Sequence, residues 1–393
     1  MKPLTRRSLL RQSILASGAL LAGGGKFALG WPFPQSARDA FRGGQRLSVI
    51  DFSEELPIDM GTKQGSELDG RLYTDLSTLT SEAPIMPARD FYLRTCASNL
   101  LKSDANWTIR LGGLVRQPVA IEFEKLKRME KPAGVHLMEC AGNTREFHFG
   151  LMSAAEWSGV PLSEVLQLAQ AEPRAARVLV SGFDQYQARS TSSIPGASWI
   201  FTTEELASSG AFLATQMNGE PLTRDHGAPV RLLVPGWYGC ACIKWVDQID
   251  WVENDADGTS QMQEYSARTG QNGVPKNAMD YLPAIIEPAA TPIRIERWLV
   301  DGKIKFRIVG ILWGGTRPVQ ALEIRFNPEE DYVPVDDLRQ TGNNTWSFWT
   351  YAWTPKSAGT YLIRLRVKDA GVLTKRLDSG YYLRSVDLGE GDL

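Results

Sequence analysis

His136-Leu137-Met138-Glu139-Cys140-Ala141-Gly142-Asn143-Thr144-Arg145 is the stretch on which the reading of this 393-residue chain turns. An apolar run leads into a cysteine, and Ala-Gly-Asn then forces a tight turn in which Gly142 permits close backbone approach. Arg145 stands where a permanent cation beside the sulfur would lower the thiol pKa and favour the metal-ligating thiolate. Taken alone, the segment fits a buried structural cysteine better than a ligand.

Working outward changes that balance. Trp157-Ser158-Gly159-Val160-Pro161-Leu162 follows, then Met217-Asn218-Gly219-Glu220-Pro221-Leu222-Thr223-Arg224-Asp225-His226-Gly227-Ala228-Pro229-Val230-Arg231-Leu232. Val234-Pro235-Gly236-Trp237-Tyr238-Gly239 then leads into Ile243-Lys244-Trp245. In order and spacing these segments resemble the sulfite oxidase family of molybdenum enzymes. The likeness is nearest to bacterial periplasmic sulfite dehydrogenases whose catalytic subunit is haem-free. The resemblance implies that Cys140 ligates molybdenum, with the dithiolene of molybdopterin supplying the other sulfurs. It further implies that Tyr92, Asn143, Asp184, His226, Arg231 and Lys244 hold the cofactor. Arg94, in Asp90-Phe91-Tyr92-Leu93-Arg94, falls where the family carries an anion-binding arginine. With Arg145 it would make a doubly cationic pocket for sulfite or a related oxyanion. Tyr265 matches an active-site tyrosine by position, and a plain surface tyrosine fits there nearly as well.

The chain also departs from the pattern. Thr95-Cys96 follows Arg94 where many relatives have Asn-His, and Phe147 or His148 takes the place of a pocket tryptophan. A further arginine expected in the terminal domain is replaced, with Thr350 the nearest position. Cys240 and Cys242, one residue apart, are too close for an easy mutual disulfide and read as packing residues.

Four cysteines without a Cys-x-x-Cys pair, with three histidines, match no familiar zinc or iron–sulfur spacing and no covalent haem attachment. The formal charge of -2 shows no basic stripe, which argues against a nucleic-acid partner. Residues 1–30 read as a signal peptide, with Arg6-Arg7 ahead of an apolar stretch resembling a twin-arginine leader. The expected destination is the periplasm. No later run approaches the ~20 apolar residues needed to span a bilayer.

Residues 31–82 are rich in Gly and Pro and read as an irregular surface wrap. Residues 83–254 mix strands with helices, and read as the molybdopterin-binding catalytic domain of an α+β fold. Thr108 to Leu114, Val178 to Gly182 and Val230 to Val234 read as strands, and a helix is expected with Pro161 at its first position. Residues 255–292, broken by four prolines, read as a linker. From 293 to 393, Ile293 to Val300, Lys303 to Val309, Ala321 to Phe326 and Thr360 to Val367 alternate apolar and polar residues. Turn signals separate them, which predicts an immunoglobulin-like β-sandwich with one packed and one wet face. By resemblance it is a dimerisation domain, and Trp346, Trp349 and Trp353 could supply that interface or fill the sandwich core.

The expectation for function is oxidation of sulfite to sulfate at a molybdenum-molybdopterin centre. With no haem domain expected ahead of the core, electrons pass to an external carrier, a c-type cytochrome. Reduction of methionine sulfoxide, nitrate or another oxyanion, and a non-catalytic secreted binding module, are the competing readings.

Overall fold

The computed structural model describes residues 40–53, 57–95, 106–183, 197–338, 342, 344–369 and 371–393. The chain up to residue 95 holds β1 (Gln45–Ile50), β2 (Gln64–Ser66), β3 (Asp69–Leu72) and β4 (Leu93–Arg94). The central region holds β5 (Thr108–Gly113), β6 (Val119–Glu122), β7 (Lys131–Glu139), β8 (Met152–Pro161) and β9 (Arg177–Gly182). It continues with β10 (Ser198–Thr202), β11 (Phe212–Met217), β12 (Glu220–Pro221), β13 (Arg231–Leu233) and β14 (Val246–Val252). The last region holds β15 (Ala289–Val300), β16 (Lys303–Trp313), β17 (Leu322–Arg325), β18 (Val333–Pro334), β19 (Ser347–Trp353), β20 (Gly359–Val367) and β21 (Arg384–Leu388).

Sheet dominates, with short helices between the strands. One central sheet runs β10-β9-β14-β5-β6, its β14 parallel to β5 and the other pairs antiparallel. A second runs β12-β11-β8-β7, with β13 on β11. The three strands read from the central sequence are all present: β9 and β13 bury residues on both faces, while β5 buries only the face carrying Ile109 and Leu111 and leaves Arg110 exposed. The helix at Leu162–Leu166 begins one residue later than expected: Pro161 ends β8 and occupies the N-cap. Leu162 and Val165 turn into the core, and Leu166 is only partly buried.

Two antiparallel sheets, β1-β15-β16-β19 and β18-β17-β20-β21, form the last region. Asp301 and Gly302, at φ 53° and 72°, make the two-residue turn between the paired ends Val300 and Lys303. Trp353 links the two sheets: it stacks on Phe326 at 4.5 Å and meets Tyr361 edge-on at 4.9 Å. Trp346, Trp349 and Trp353 are all buried within the chain, so they fill the core and supply no outer surface. The predicted wet face holds along β20, where Leu362, Arg364 and Arg366 keep exposure between buried Tyr361, Ile363 and Leu365. On β16 it holds only for the first half, where Lys303, Ile304, Lys305 and Arg307 keep exposure. From Ile308 to Trp313 every residue is buried. The end of that strand reaches the central region, where Trp313 Nε1 donates to Glu139 at 2.8 Å.

The segment expected to be an irregular wrap is more ordered than its composition suggested. β1 adds itself antiparallel to β15, with Gln45 opposite Leu299 and Ile50 opposite Ile295. A polar strand gains structure here because the ladder partner, not its own propensity, satisfies its backbone. β2, β3 and β4 make a separate small sheet.

Candidate active site

Cys140 is the first residue after β7, in the connection that returns as β8. Its N–H donates to Leu151 O at 2.9 Å, and Asn143 N–H closes the turn onto Cys140 O at 2.9 Å. Gly142 N–H points at the sulfur, 3.4 Å from Sγ. A Cβ on Gly142 would lie 3.1 Å from an Arg268 nitrogen, so glycine is what lets that guanidinium approach the turn. The sulfur forms part of the floor of a cavity of about 210 Å³.

The cavity walls are cationic. Arg71, Arg94, Arg231 and Lys244 line it, against the single carboxylate of Glu264 among the described residues. Burial pushes the Cys140 thiol up, and Arg94, the Gly142 N–H and Arg268 only partly offset this. This corrects the expected lowering by Arg145. Arg145 does not line the cavity; its guanidinium donates to Leu383 O at 3.3 Å, and Arg94 and Arg268 are the cations acting on the sulfur.

Arg231, on β13, is 3% exposed. It donates to His226 O at 3.1 Å and Cys242 O at 3.0 Å, while its Nε has no partner. No carboxylate pairs with it among the described residues, and burial draws its pKa down. A buried guanidinium facing a cavity without an anion is costly, so the site fits a negatively charged group. Lys244 is clasped from the protein side: Nζ donates to Thr95 Oγ1 and Asp225 O at 2.7 Å and to Arg94 O at 3.3 Å. His226 sits in the short turn Arg224–His226. Its Nε2 faces Phe91 O at 3.3 Å and so carries the proton, leaving Nδ1 to accept from the Thr223 hydroxyl at 2.8 Å. Burial, reinforced by Lys244 and Arg231, lowers its pKa to about 3.

The structure therefore brings Tyr92, Arg94, Cys140, His226, Arg231, Lys244 and Tyr265 to one cavity. Asn143 is not among its lining: its side chain accepts from Leu151 N–H at 3.1 Å and donates to Glu139 at 3.3 Å, shaping the turn instead. Asp184 and Cys96 lie outside the described residues. Phe147 stacks on Tyr73 at 5.1 Å and His148 borders a separate cavity with Phe52 and Arg384, so neither replaces a pocket tryptophan. Thr350 bonds Asp337 at 2.8 Å, away from the cavity. Cys240 and Cys242 are free and buried, and both touch the cavity.

Sequence reasoning missed Arg71, Arg268 and Arg376. Arg376 is an anchor from the last region: its guanidinium reaches Glu139 at 3.4 Å, the Tyr238 oxygen at 2.6 Å and Asn143 O at 3.4 Å. It holds the Cys140 turn from behind. No local pattern could have revealed a partner 237 residues away.

The donor set fits a bulky anionic metal cofactor: one buried thiol, converging cations, and no group of three or more His, Cys, Asp or Glu among the described residues able to hold a metal alone. Residues 97–260 match the family described as oxidoreductase molybdopterin binding domain. The fold and the site thus define a molybdopterin-binding oxidoreductase, whose cofactor is molybdenum-molybdopterin.

The mitochondrial sulfite oxidase of Macaca fascicularis is 26% identical over 291 residues, covering 67% of this chain and 50% of that protein. The NADPH nitrate reductase of Beauveria bassiana is 26% identical over 295 residues, covering 62% of this chain and 32% of that protein. The sulfane dehydrogenase SoxCD structure from Paracoccus pantotrophus shares the fold, with a TM-score of 0.61 at 20% identity, over 89% of this chain and 85% of that one. The chain belongs to the sulfite oxidase family of molybdopterin oxidoreductases. It spans about half the length of the curated sulfite oxidases that it matches.

Proposed function

We propose that this protein oxidises sulfite to sulfate at a molybdenum-molybdopterin centre ligated by Cys140, and passes the electrons to an external c-type cytochrome. The observation that carries the reading is the buried Cys140 thiol beneath a cavity walled by Arg94, Arg231 and Lys244. When bound, the cofactor supplies two-electron oxygen-atom transfer, chemistry that no side chain offers. The net conversion takes sulfite and water to sulfate, two electrons and two protons.

The chain's own residues bind, orient and neutralise. Arg231 and Lys244 offset the charge of the pterin phosphate, and the neutral His226 ring fills the wall beside them. Arg94 holds the substrate oxyanion next to the sulfur. Tyr265, at the end of the helix Ser260–Tyr265, offers its phenol to the reacting side of the cavity. Burial removes water competition for these charges, which strengthens each of them.

The proposal extends to place and assembly. The twin-arginine-like leader supports export to the periplasm in folded, cofactor-loaded form. The two packed antiparallel sheets support an immunoglobulin-like sandwich, and by resemblance to the family that sandwich pairs two copies. Among the described residues no helix is long and apolar enough to cross a membrane.

The nitrate reductase relatives favour one second reading, reduction of an oxyanion at the same centre. Metal analysis of the natively exported protein, followed by sulfite-dependent reduction of cytochrome c, decides between them. About one molybdenum per chain with sulfite turnover supports the proposal. Molybdenum with nitrate turnover but none on sulfite sinks it in favour of the second reading.

A further inference from the structure

We infer that Arg71 is a specificity-determining residue, and that with Arg94 it forms a two-guanidinium clamp at the cavity mouth for a doubly charged oxyanion. The inference rests on the oxidase reading above, because it names the substrate class that the site selects.

Arg71 lies on β3 and Arg94 on β4, and the two are direct partners across the antiparallel ladder. Gly70 and Thr95 exchange both of their backbone hydrogen bonds, at 3.1 and 3.0 Å. The adjoining pair, Arg71 and Arg94, is therefore the non-hydrogen-bonded kind, in which Cα atoms approach to about 4.5 Å and side chains crowd together on one face. On the opposite face Leu72 and Leu93 are buried, so the alternation directs both arginines outward to the cavity. Like charges placed directly opposite each other destabilise a ladder unless something lies between them. Arg71 is exposed and makes no hydrogen bond or ion pair with any described residue, so its guanidinium is free to turn to an anion shared with Arg94 at the cavity.

The hairpin carrying Arg71 is fastened to the cofactor side of the site. Asp225, immediately before His226, accepts from Lys63 Nζ at 2.6 Å and from Leu68 N–H at 2.8 Å. Those two residues flank and form the β2–β3 hairpin, and Asp225 O in turn accepts from Lys244 and Thr95. Asp225 is thus a positioning residue that fixes β3, and with it Arg71, relative to the cavity. Both arginines lie before residue 97, where the match to the molybdopterin-binding domain begins.

Two guanidinium forks favour a dianion with several oxygens, such as sulfite or sulfate, over a singly charged planar anion such as nitrate. Arg71 thereby takes the place in the anion pocket that Arg145, turned toward Leu383, does not fill.

The test uses the exported, molybdenum-loaded full chain and sodium sulfate as a non-reacting probe, titrated calorimetrically, with sodium nitrate as the comparison. Wild type is expected to bind sulfate more tightly than nitrate. Arg71→Ala should weaken sulfate binding about tenfold or more, narrow the gap to nitrate, and leave molybdenum and pterin content unchanged. Arg71→Lys should recover part of the loss, since it restores charge but not the fork. With sulfite as substrate, Arg71→Ala should raise KM and largely spare kcat. Sulfate affinity equal in wild type and Arg71→Ala, or no sulfate binding in wild type, overturns the inference. So does loss of pterin in Arg71→Ala, which would assign the arginine to the cofactor instead. If sulfate binding depends on Arg71 but wild type does not turn over sulfite, the clamp stands and the sulfite oxidation reading falls.

Discussion

Glu139 and Arg376 meet in a largely buried ion pair at 3.4 Å, one residue from Cys140, and join the central region to the last region of the chain. Glu139 is fully buried, and its carboxylate also accepts from Trp313 Nε1 at 2.8 Å and from the Tyr382 hydroxyl at 3.4 Å. Arg376 packs its guanidinium over the rings of Tyr381 at 4.5 Å and Tyr382 at 5.2 Å. The negative charge of Glu139 and the surrounding tyrosines raise the Arg376 pKa despite burial.

Removing one partner of such a pair strands the other. Arg376→Met should cost about 3–5 kcal/mol of stability because the Glu139 carboxylate is left without its cation. Glu139→Gln should cost less, about 1–2 kcal/mol, since Arg376 keeps some exposure and can reach water. The double variant should recover part of the Arg376→Met loss. Urea denaturation of all three in the apoprotein gives the coupling directly, and strictly additive losses would show that the pair is not coupled.

How far the site was legible in the sequence follows from how local each signal is. Cys140, His226, Arg231 and Lys244 stand within short segments whose residues turn together, and they meet at the cavity. The alternating strands of the last region were equally plain, because period two survives wherever one face is wet. What failed was whatever depends on direction or distance. Arg145 lies close to Cys140 in the chain, yet the Arg145–Phe147 turn carries its guanidinium to Leu383. Asn143 looked like a cofactor ligand, but a tight turn needs its amide more. Arg71 reaches the mouth through a ladder partner, and β1 is a strand only because β15 offers an edge. Partners of that kind leave no trace in local composition.

Cys140→Ser should abolish molybdenum retention and sulfite turnover while leaving the fold intact. A hydroxyl fits the space of the thiol but is a poor soft-metal ligand. The expected stability change in the apoprotein is within about 1.5 kcal/mol. Metal analysis and thermal melting on the same preparation check this. Full activity with bound metal in Cys140→Ser would sink the assignment of the ligand.

Arg231→Met separates cost from purpose. In the apoprotein the variant removes a buried cation that pairs with no carboxylate among the described residues, which offsets the loss of its bonds to His226 O and Cys242 O. Its apo stability should lie within about 2 kcal/mol of wild type, in either direction. Cofactor retention, by contrast, should fall about tenfold or more, because the anion loses a desolvated guanidinium. Pterin content after gel filtration, read beside apo denaturation curves, tests the contrast. Equal retention would show that Arg231 serves packing alone.

His226 gives the apoprotein an acid-side weakness whose sign is fixed by the direction of its shift. Its pKa falls from the ordinary 6.5 to about 3 in the folded chain, chiefly through burial and then through Lys244 and Arg231. The unfolded chain therefore takes up a proton near pH 6.5 that the folded chain refuses until about pH 3. Stability from this group is complete above the unfolded value and is lost as pH drops through the window, at up to about 1.4 kcal/mol per pH unit. Between pH 6.5 and 5, before most carboxylates titrate, the wild-type apoprotein should lose stability faster than His226→Gln. The glutamine can still donate to Phe91 O but binds no proton. Parallel denaturation series across that range measure the difference in slope, and identical slopes would mean that His226 is protonated in the folded chain as readily as in the unfolded one.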